Sequence, residues 1–283
     1  MKSLRFLALA LVMLVLAAGT ALASDIEQYK TNVQSALTKD KITSMMEVAK
    51  LLKQYGASYQ QPLTSDTALA GKLKPGEALR VMIGMYQFDA VYAAAYGRKK
   101  DAVGFLEARA RLVDKMNLRG RLDVSALFPQ KLDTLLKNPD GATFDDIVQA
   151  YAENAAKYEE MMNDQVGFET IEASLYGFVL EGLYVTSNSL LTSGMDPELM
   201  QVVGHVVPLI QPALSLYESF TSVEHYAMYV DPDNFLERTE RAAWLKIIMK
   251  MIIDKKAKLT EKQVKAIVEI VSKERAAIYS TMP

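Results

Sequence analysis

Two carboxylates stand alone in long apolar stretches, and of all residues in the chain they are best placed to do chemistry. Asp89 is the only charged residue between Val81 and Gly97, and Glu181 the only one between Ala173 and Met195. Burying a carboxylate with no partner is costly, so an acid in such a place is hydrogen-bonded, ion-paired or held in a functional site. Helical spacing puts Met85, Tyr86, Tyr92, Ala93 and Tyr96 beside Asp89, and a stripe of Thr170, Ser174, Gly177, Glu181, Tyr184 and Asn188 along the second segment. Each acid has a tyrosine three residues on. Two readings stay open. In the first, each acid accepts hydrogen bonds from tyrosine hydroxyls or from an arginine on a neighbouring helix, and its role is structural. In the second, Asp89, Tyr86, Tyr92, Glu181, Tyr184 and Asn188 line a pocket between helices, where bundles place small ligands.

Other chemistries find less support. The chain has no cysteine, which removes thiol nucleophiles, Cys-ligated metals and iron–sulfur clusters. It has two histidines, His205 and His225. A di-iron bundle needs Glu-x-x-His pairs, but Val202 and Ser222 stand three residues before them. Glu218, Glu224 and His225 remain a remote carboxylate–imidazole metal set, while the apolar run around His205 predicts an ordinary core histidine. No Gly-x-Ser-x-Gly nucleophile elbow is present, and no context selects a pair of acids for glycoside hydrolysis. No cofactor is indicated, and the balance leans away from an enzyme.

The elements that position these residues read with helical periodicity nearly throughout. Ile42, Met45, Met46, Ala49 and Leu52 follow the i, i+3, i+4, i+7 pattern, with Gly56 as the C-cap. Pro75 opens a helix that runs to Gly97, and another follows over 99–116 with Ala102, Phe105, Leu106 and Leu112 facing inward. Phe128-Pro129 and 138–141 (Asn-Pro-Asp-Gly) are turns, and Thr143 with Asp146 forms a capping box for a helix through Met162. The segment 166–191 is apolar nearly all round and belongs at the centre of a bundle. Asp196-Pro197 starts the next segment, which Pro208 and Pro212 are expected to break or kink before a helix leading to His225 and Tyr229. Asp231-Pro232-Asp233 opens a helix through Asp254, read as a core helix around Trp244 with a polar stripe of Lys246, Lys250 and Asp254. Thr260 and Gln263 cap a last helix carrying Val264, Ile267, Val268 and Val271. The sum is an all-α, single-domain bundle of roughly ten helices over residues 24–283, with no linker to divide it.

The stretch 84–93, Gly-Met-Tyr-Gln-Phe-Asp-Ala-Val-Tyr-Ala, together with 181–184, Glu-Gly-Leu-Tyr, resembles a motif pair of uncharacterised secreted helical proteins of bacteria. The resemblance implies an exported helical fold and carries no activity with it. Ala90, Gly97, Ala102 and Leu106 also fall near the small and large positions of one tetratricopeptide-like hairpin, with no second copy to stack on it.

The N-terminus sets the compartment. Lys2 and Arg5 precede an apolar run from Phe6 to Ala18, and Ala21-Leu22-Ala23 is a small-residue exit, so residues 1–23 read as a signal peptide and the protein as periplasmic. Removing them leaves 30 basic against 34 acidic side chains, net −4, with no second hydrophobic span. That balance argues against nucleic acid as a partner, which calls for a basic surface. The leading expectation is a non-enzymatic binding protein for a small apolar or amphipathic ligand. The alternative is a protein–protein adaptor or scaffold of the bacterial envelope, with a periplasmic partner. A greasy face on the Trp244 helix, turned to a partner or a membrane, fits that alternative.

Overall fold

The computed structural model of the chain describes residues 38–116, 143–153, 164–221, 232–254 and 258–280, most of their side chains, and Thr31, Lys137, Lys157, Glu160 and Met161. The expected signal peptide, the turns at 128–129 and 138–141, Glu224 and His225 lie outside the described residues, as does the side chain of Glu218. Among the described residues there are nine α-helices and no strand, so the chain is an all-α bundle. They are α1 (Lys39–Gln54), α2 (Leu69–Lys72), α3 (Glu77–Ala95), α4 (Lys99–Lys115), α5 (Phe144–Glu153), α6 (Gln165–Thr192), α7 (Val202–Thr221), α8 (Pro232–Asp254) and α9 (Glu261–Ser280). No helix among the described residues is long and apolar enough to cross a membrane.

The apolar patterns resolve as faces. All five periodic residues of α1 are buried, as are Ala102, Phe105, Leu106 and Leu112 of α4 and Val264, Ile267 and Val271 of α9. Burying each such aliphatic side chain contributes about 1.5–3 kcal/mol before entropy is charged against it. Caps fall where the sequence puts them. The Thr143 hydroxyl accepts from the Asp146 amide while the Asp146 carboxylate accepts from Thr143, and Thr260 and Gln263 make the same reciprocal pair before α9. Asp164 caps α6 by accepting from the amides of Val166 and Gly167 at 2.9 and 3.2 Å.

The bundle is organised around α3 and α6. Residues on all sides of both are buried, because α3 packs against α6 and α4 while α6 packs against α7 and α9 as well. Two glycines set how closely the central pair cross. A Cβ on Gly84 would stand 1.7 Å from the Ser174 carbonyl oxygen, and one on Gly177 would stand 1.9 Å from that of Val81. The backbones touch at this point, and only hydrogen fits between them. The Ser174 hydroxyl adds a bond across the crossing, donating to the Arg80 carbonyl at 3.2 Å. Gly97 closes the three-residue turn from α3 into α4 with a left-handed φ of 69°.

Two expectations are corrected and a third is narrowed. Of the break or kink expected at Pro208 and Pro212 the break does not occur, since α7 runs through both without ending. Those prolines leave the carbonyls of Gly204 and Pro208 without helical partners, and both residues lie on the exposed stripe of α7, where water reaches them. His205 shares that stripe and is exposed, not a core histidine; Val202, Val203, Val206 and Ile210 form the buried face. Finally, α8 buries Trp244, Leu245, Ile248 and Ile252 but leaves Ile247 and Ile253 more than half exposed, at 54% and 53%.

Candidate functional site

Three helices bring polar side chains to one place, and the connection between α1 and α2 lies across them. From α3 come Tyr86, Asp89 and Tyr92, three residues apart and fully buried. From α6 come fully buried Glu181 and half-buried Tyr184, and from α9 come Arg275 and Tyr279, one turn apart. The connection, residues 55–68, contains one 3₁₀ turn at Gln61–Leu63.

A connection with so little regular structure must find partners for its backbone groups elsewhere. Here the buried side chains supply them. The Asp89 carboxylate accepts from the Ser65 amide at 2.9 Å, and the Tyr86 hydroxyl donates to the Asp66 carbonyl at 2.8 Å. The Tyr92 hydroxyl accepts from the Gln60 amide at 3.1 Å and lies 3.5 Å from the Ser58 carbonyl, to which it donates. Arg275 donates to the Leu63 carbonyl at 3.3 Å. Tyr59 stacks against Tyr92 and Tyr96 with ring centroids 5.1 and 5.8 Å apart. The cluster is a set of posts to which the connection is tied.

Ser65 is the knot. Its hydroxyl donates to Glu181 at 3.1 Å and accepts from the Tyr279 hydroxyl at 3.2 Å. Arg275 grips Glu181 in a fork, Nε to Oε2 at 2.8 Å and Nη2 to Oε1 at 2.9 Å, with its guanidinium between the rings of Tyr184 and Tyr279 at 4.3 and 4.9 Å. Such bidentate charged bonds are the strong kind. Charge does not balance: two buried carboxylates share one arginine, and that arginine is committed to Glu181. Asp89 makes no ion pair among the described residues, and its Oδ1 has no hydrogen-bond partner there. Burial first, and then the charge of Glu181, push the Asp89 carboxyl well above the usual aspartate range, against the pull of the Ser65 amide and Arg275. Burial disfavours the charged form of Arg275, yet Glu181 outweighs it and raises the guanidinium further. Burial also raises the hydroxyls of Tyr86, Tyr92 and Tyr279, so none is a ready nucleophile.

Ser65 also meets an open space. Residues 61, 62 and 64–67 of the connection and residues 100, 101, 104 and 105 of α4 wall a cleft of about 600 Å³. Phe105 floors it and is stacked on Tyr86, centroids 6.4 Å apart. Gly104 leaves room: a Cβ there meets nothing within 4 Å. The rim carries Gln61, Asp66, Thr67, Lys100 and Asp101, so apolar and polar surface stand together.

Of the six residues expected at a site, Asp89, Tyr86, Tyr92, Glu181 and Tyr184 gather in one cluster, Tyr184 through its ring. Asn188 does not join it; its amide donates to the Tyr184 carbonyl of its own helix at 2.8 Å. None of the six lines the cleft, which Ser65 separates from the acids. Of the two predicted kinds of partner for the acids the arginine occurs, on Glu181, while the hydroxyls of Tyr86 and Tyr92 bond the connection and not the acids. No protein-family model matches the chain, and neither curated proteins nor solved structures give a match. Function therefore rests on geometry. Among the described residues, no three His, Asp or Glu side chains gather to hold a metal ion.

Sequence reasoning missed Ser65, Arg275 and Tyr279. Arg275 and Tyr279 carry a weak signal, one turn apart on the helix expected to be amphipathic. Ser65 carries none, since it sits in an aperiodic polar stretch whose partners are 24 and 116 residues away.

Proposed function

We propose that the protein is an exported, non-enzymatic binding protein that seats a small amphipathic ligand in the cleft between residues 61–67 and α4. The observation that carries this reading is the cleft itself, about 600 Å³ with an aromatic floor, a polar rim and an unfilled glycine in its wall. That volume falls in the range of small-molecule sites. The cluster of Asp89, Glu181, Arg275, Tyr86, Tyr92 and Tyr279 acts behind the site, holding one wall in place, and Tyr184 stacks on that arginine. A non-enzymatic role fits the chemistry of the cluster. Glu181 is forked by Arg275, and the Ser65 hydroxyl is engaged as both donor and acceptor, so neither of these two stands free as a base or a nucleophile. The exported location rests on the pattern of residues 1–23.

Native mass spectrometry of the chain prepared without denaturation tests the reading. An added mass that is lost on unfolding is expected, and Gly104→Leu, which fills the cleft, is expected to lack it. A bare mass in the wild type, with no stabilisation by any member of an amphipathic ligand panel, overturns it. The adaptor reading keeps one observation of its own, the exposed Ile247 and Ile253 on α8.

A further inference from the structure

The connection closes over two buried carboxylates that share one cation, so ionising both leaves a negative charge shut away from water without a counter-charge. Asp89 and Glu181 are both fully buried and reach the same residue, one through the Ser65 amide and the other through its hydroxyl. Among the described residues the guanidinium of Arg275 is forked onto Glu181 and reaches on to Leu63 and Ser65, and none of these bonds goes to Asp89. We propose that residues 57–67 are a proton-linked strap: fastened while the Asp89–Glu181 pair carries a proton, and released when that proton leaves.

Among the described residues, the groups around Asp89 offer it no ion pair. Its own helix offers Tyr86 and Tyr92, whose hydroxyls are turned to the connection. The connection offers Ser65 and Tyr59, and α9 offers Arg275 and Tyr279. From α4, Asp101 pairs with Arg98 at 3.1 Å, and Arg109 lies against Gln87 and the Tyr151 ring of α5. From α1, Lys53 donates to the Ala95 carbonyl at 3.0 Å. The remaining element, α6, brings Glu181, a second negative charge. Two adjacent carboxylates with one cation hold a proton until solvent reaches them.

The cleft gives solvent a short route. Ser65 is the residue that both closes over the pair and faces the cleft. Ionising Asp89 therefore favours withdrawal of Ser65 and entry of water from the cleft side, which removes the cleft wall. The strap itself does not depend on the ligand reading. Its consequence for ligand release does, because only a cleft that binds something has anything to release.

Hydrogen exchange of the full chain without ligand, followed from pH 5 to pH 9 and corrected for intrinsic exchange, tests the strap. Protection of residues 57–67 is expected to fall, by at most about tenfold per pH unit, as pH rises toward the Asp89 transition and to level off above it, while the crossing around Gly84 and Gly177 keeps its protection. Asp89→Asn is expected to hold a single, pH-independent level. Uniform protection in the wild type, or an unchanged pH profile in Asp89→Asn, overturns the strap. Should the variant fail to fold, chymotrypsin cleavage of the wild type at Tyr59 and Leu63 gives the same reading. Its rate, normalised to a peptide substrate, must rise with pH, and a flat rate overturns the proposal. Loss of ligand binding with the exchange profile intact would sink the cleft reading and leave the strap standing.

Discussion

The two ends of the α3–α6 pair hold charge in opposite ways. At one end Glu169 pairs with Arg80 and Glu77 with Arg241, both at 2.8 Å. Glu77 keeps a third of its side-chain surface in water, and Arg241 lies over the Tyr176 ring at 4.2 Å. At the other end two carboxylates are shut away with one arginine, and every remaining bond runs to the connection. The first arrangement joins helix to helix, each of these charges meeting an opposite one. The second joins helices to a connection and retains a buried carboxyl oxygen without a partner. Unmet polar atoms are rare in interiors, and one beside a cleft marks where the molecule is poised to change.

Breaking the crossing should have the largest effect, since both ends depend on it. Gly84→Leu or Gly177→Leu drives a side chain into a backbone carbonyl, and a loss of about 3 kcal/mol or more in urea unfolding is expected. Next comes the arginine of each end. Arg275→Met leaves Glu181 buried and unpaired, at a cost of about 3–5 kcal/mol. Arg241→Met leaves Glu77 able to hydrate, so a smaller loss of about 1–3 kcal/mol is expected. Equal losses in the two would erase the contrast between the ends.

The acid pair predicts a pH dependence of definite sign. The unfolded chain releases the Asp89 proton near the ordinary value of 3.8, while the native chain keeps it to higher pH. The native state thus binds more protons across that window, and stability must fall as pH rises through it. One proton sets the limit at about 1.4 kcal/mol per pH unit. Denaturant midpoints measured across the window in wild type should show this slope, and Asp89→Asn should lose it. The smallest effect belongs to Gly104→Leu, expected within about 0.5 kcal/mol of wild type by thermal unfolding because its side chain enters open space.

The helices were legible because their signal is local. Ile42 to Leu52 announce a buried face by spacing alone, and Thr143 with Asp146 announces a cap. The loneliness of Asp89 and Glu181 in apolar runs was equally readable, and five of the six expected residues do cluster. What spacing hid was the partner side. Ser65 and Arg275 lie in a loop and on the last described helix, brought together by tertiary packing across 210 residues. The apolar run around His205 misled for a related reason: periodicity shows that a helix has two faces, but a run this apolar does not say which is outside. Pro208 and Pro212 do not end their helix because their cost depends on whether the orphaned carbonyls reach water, which sequence does not record.

A titration of the Asp89 side-chain carboxyl carbon by ¹³C NMR tests the account at its root. The unbalanced end requires Asp89 to keep its proton well above pH 3.8, and to lose it together with a shift of the Ser65 amide signal. An Asp89 carboxyl that ionises at or below 3.8, with the Ser65 amide unmoved, would contradict it.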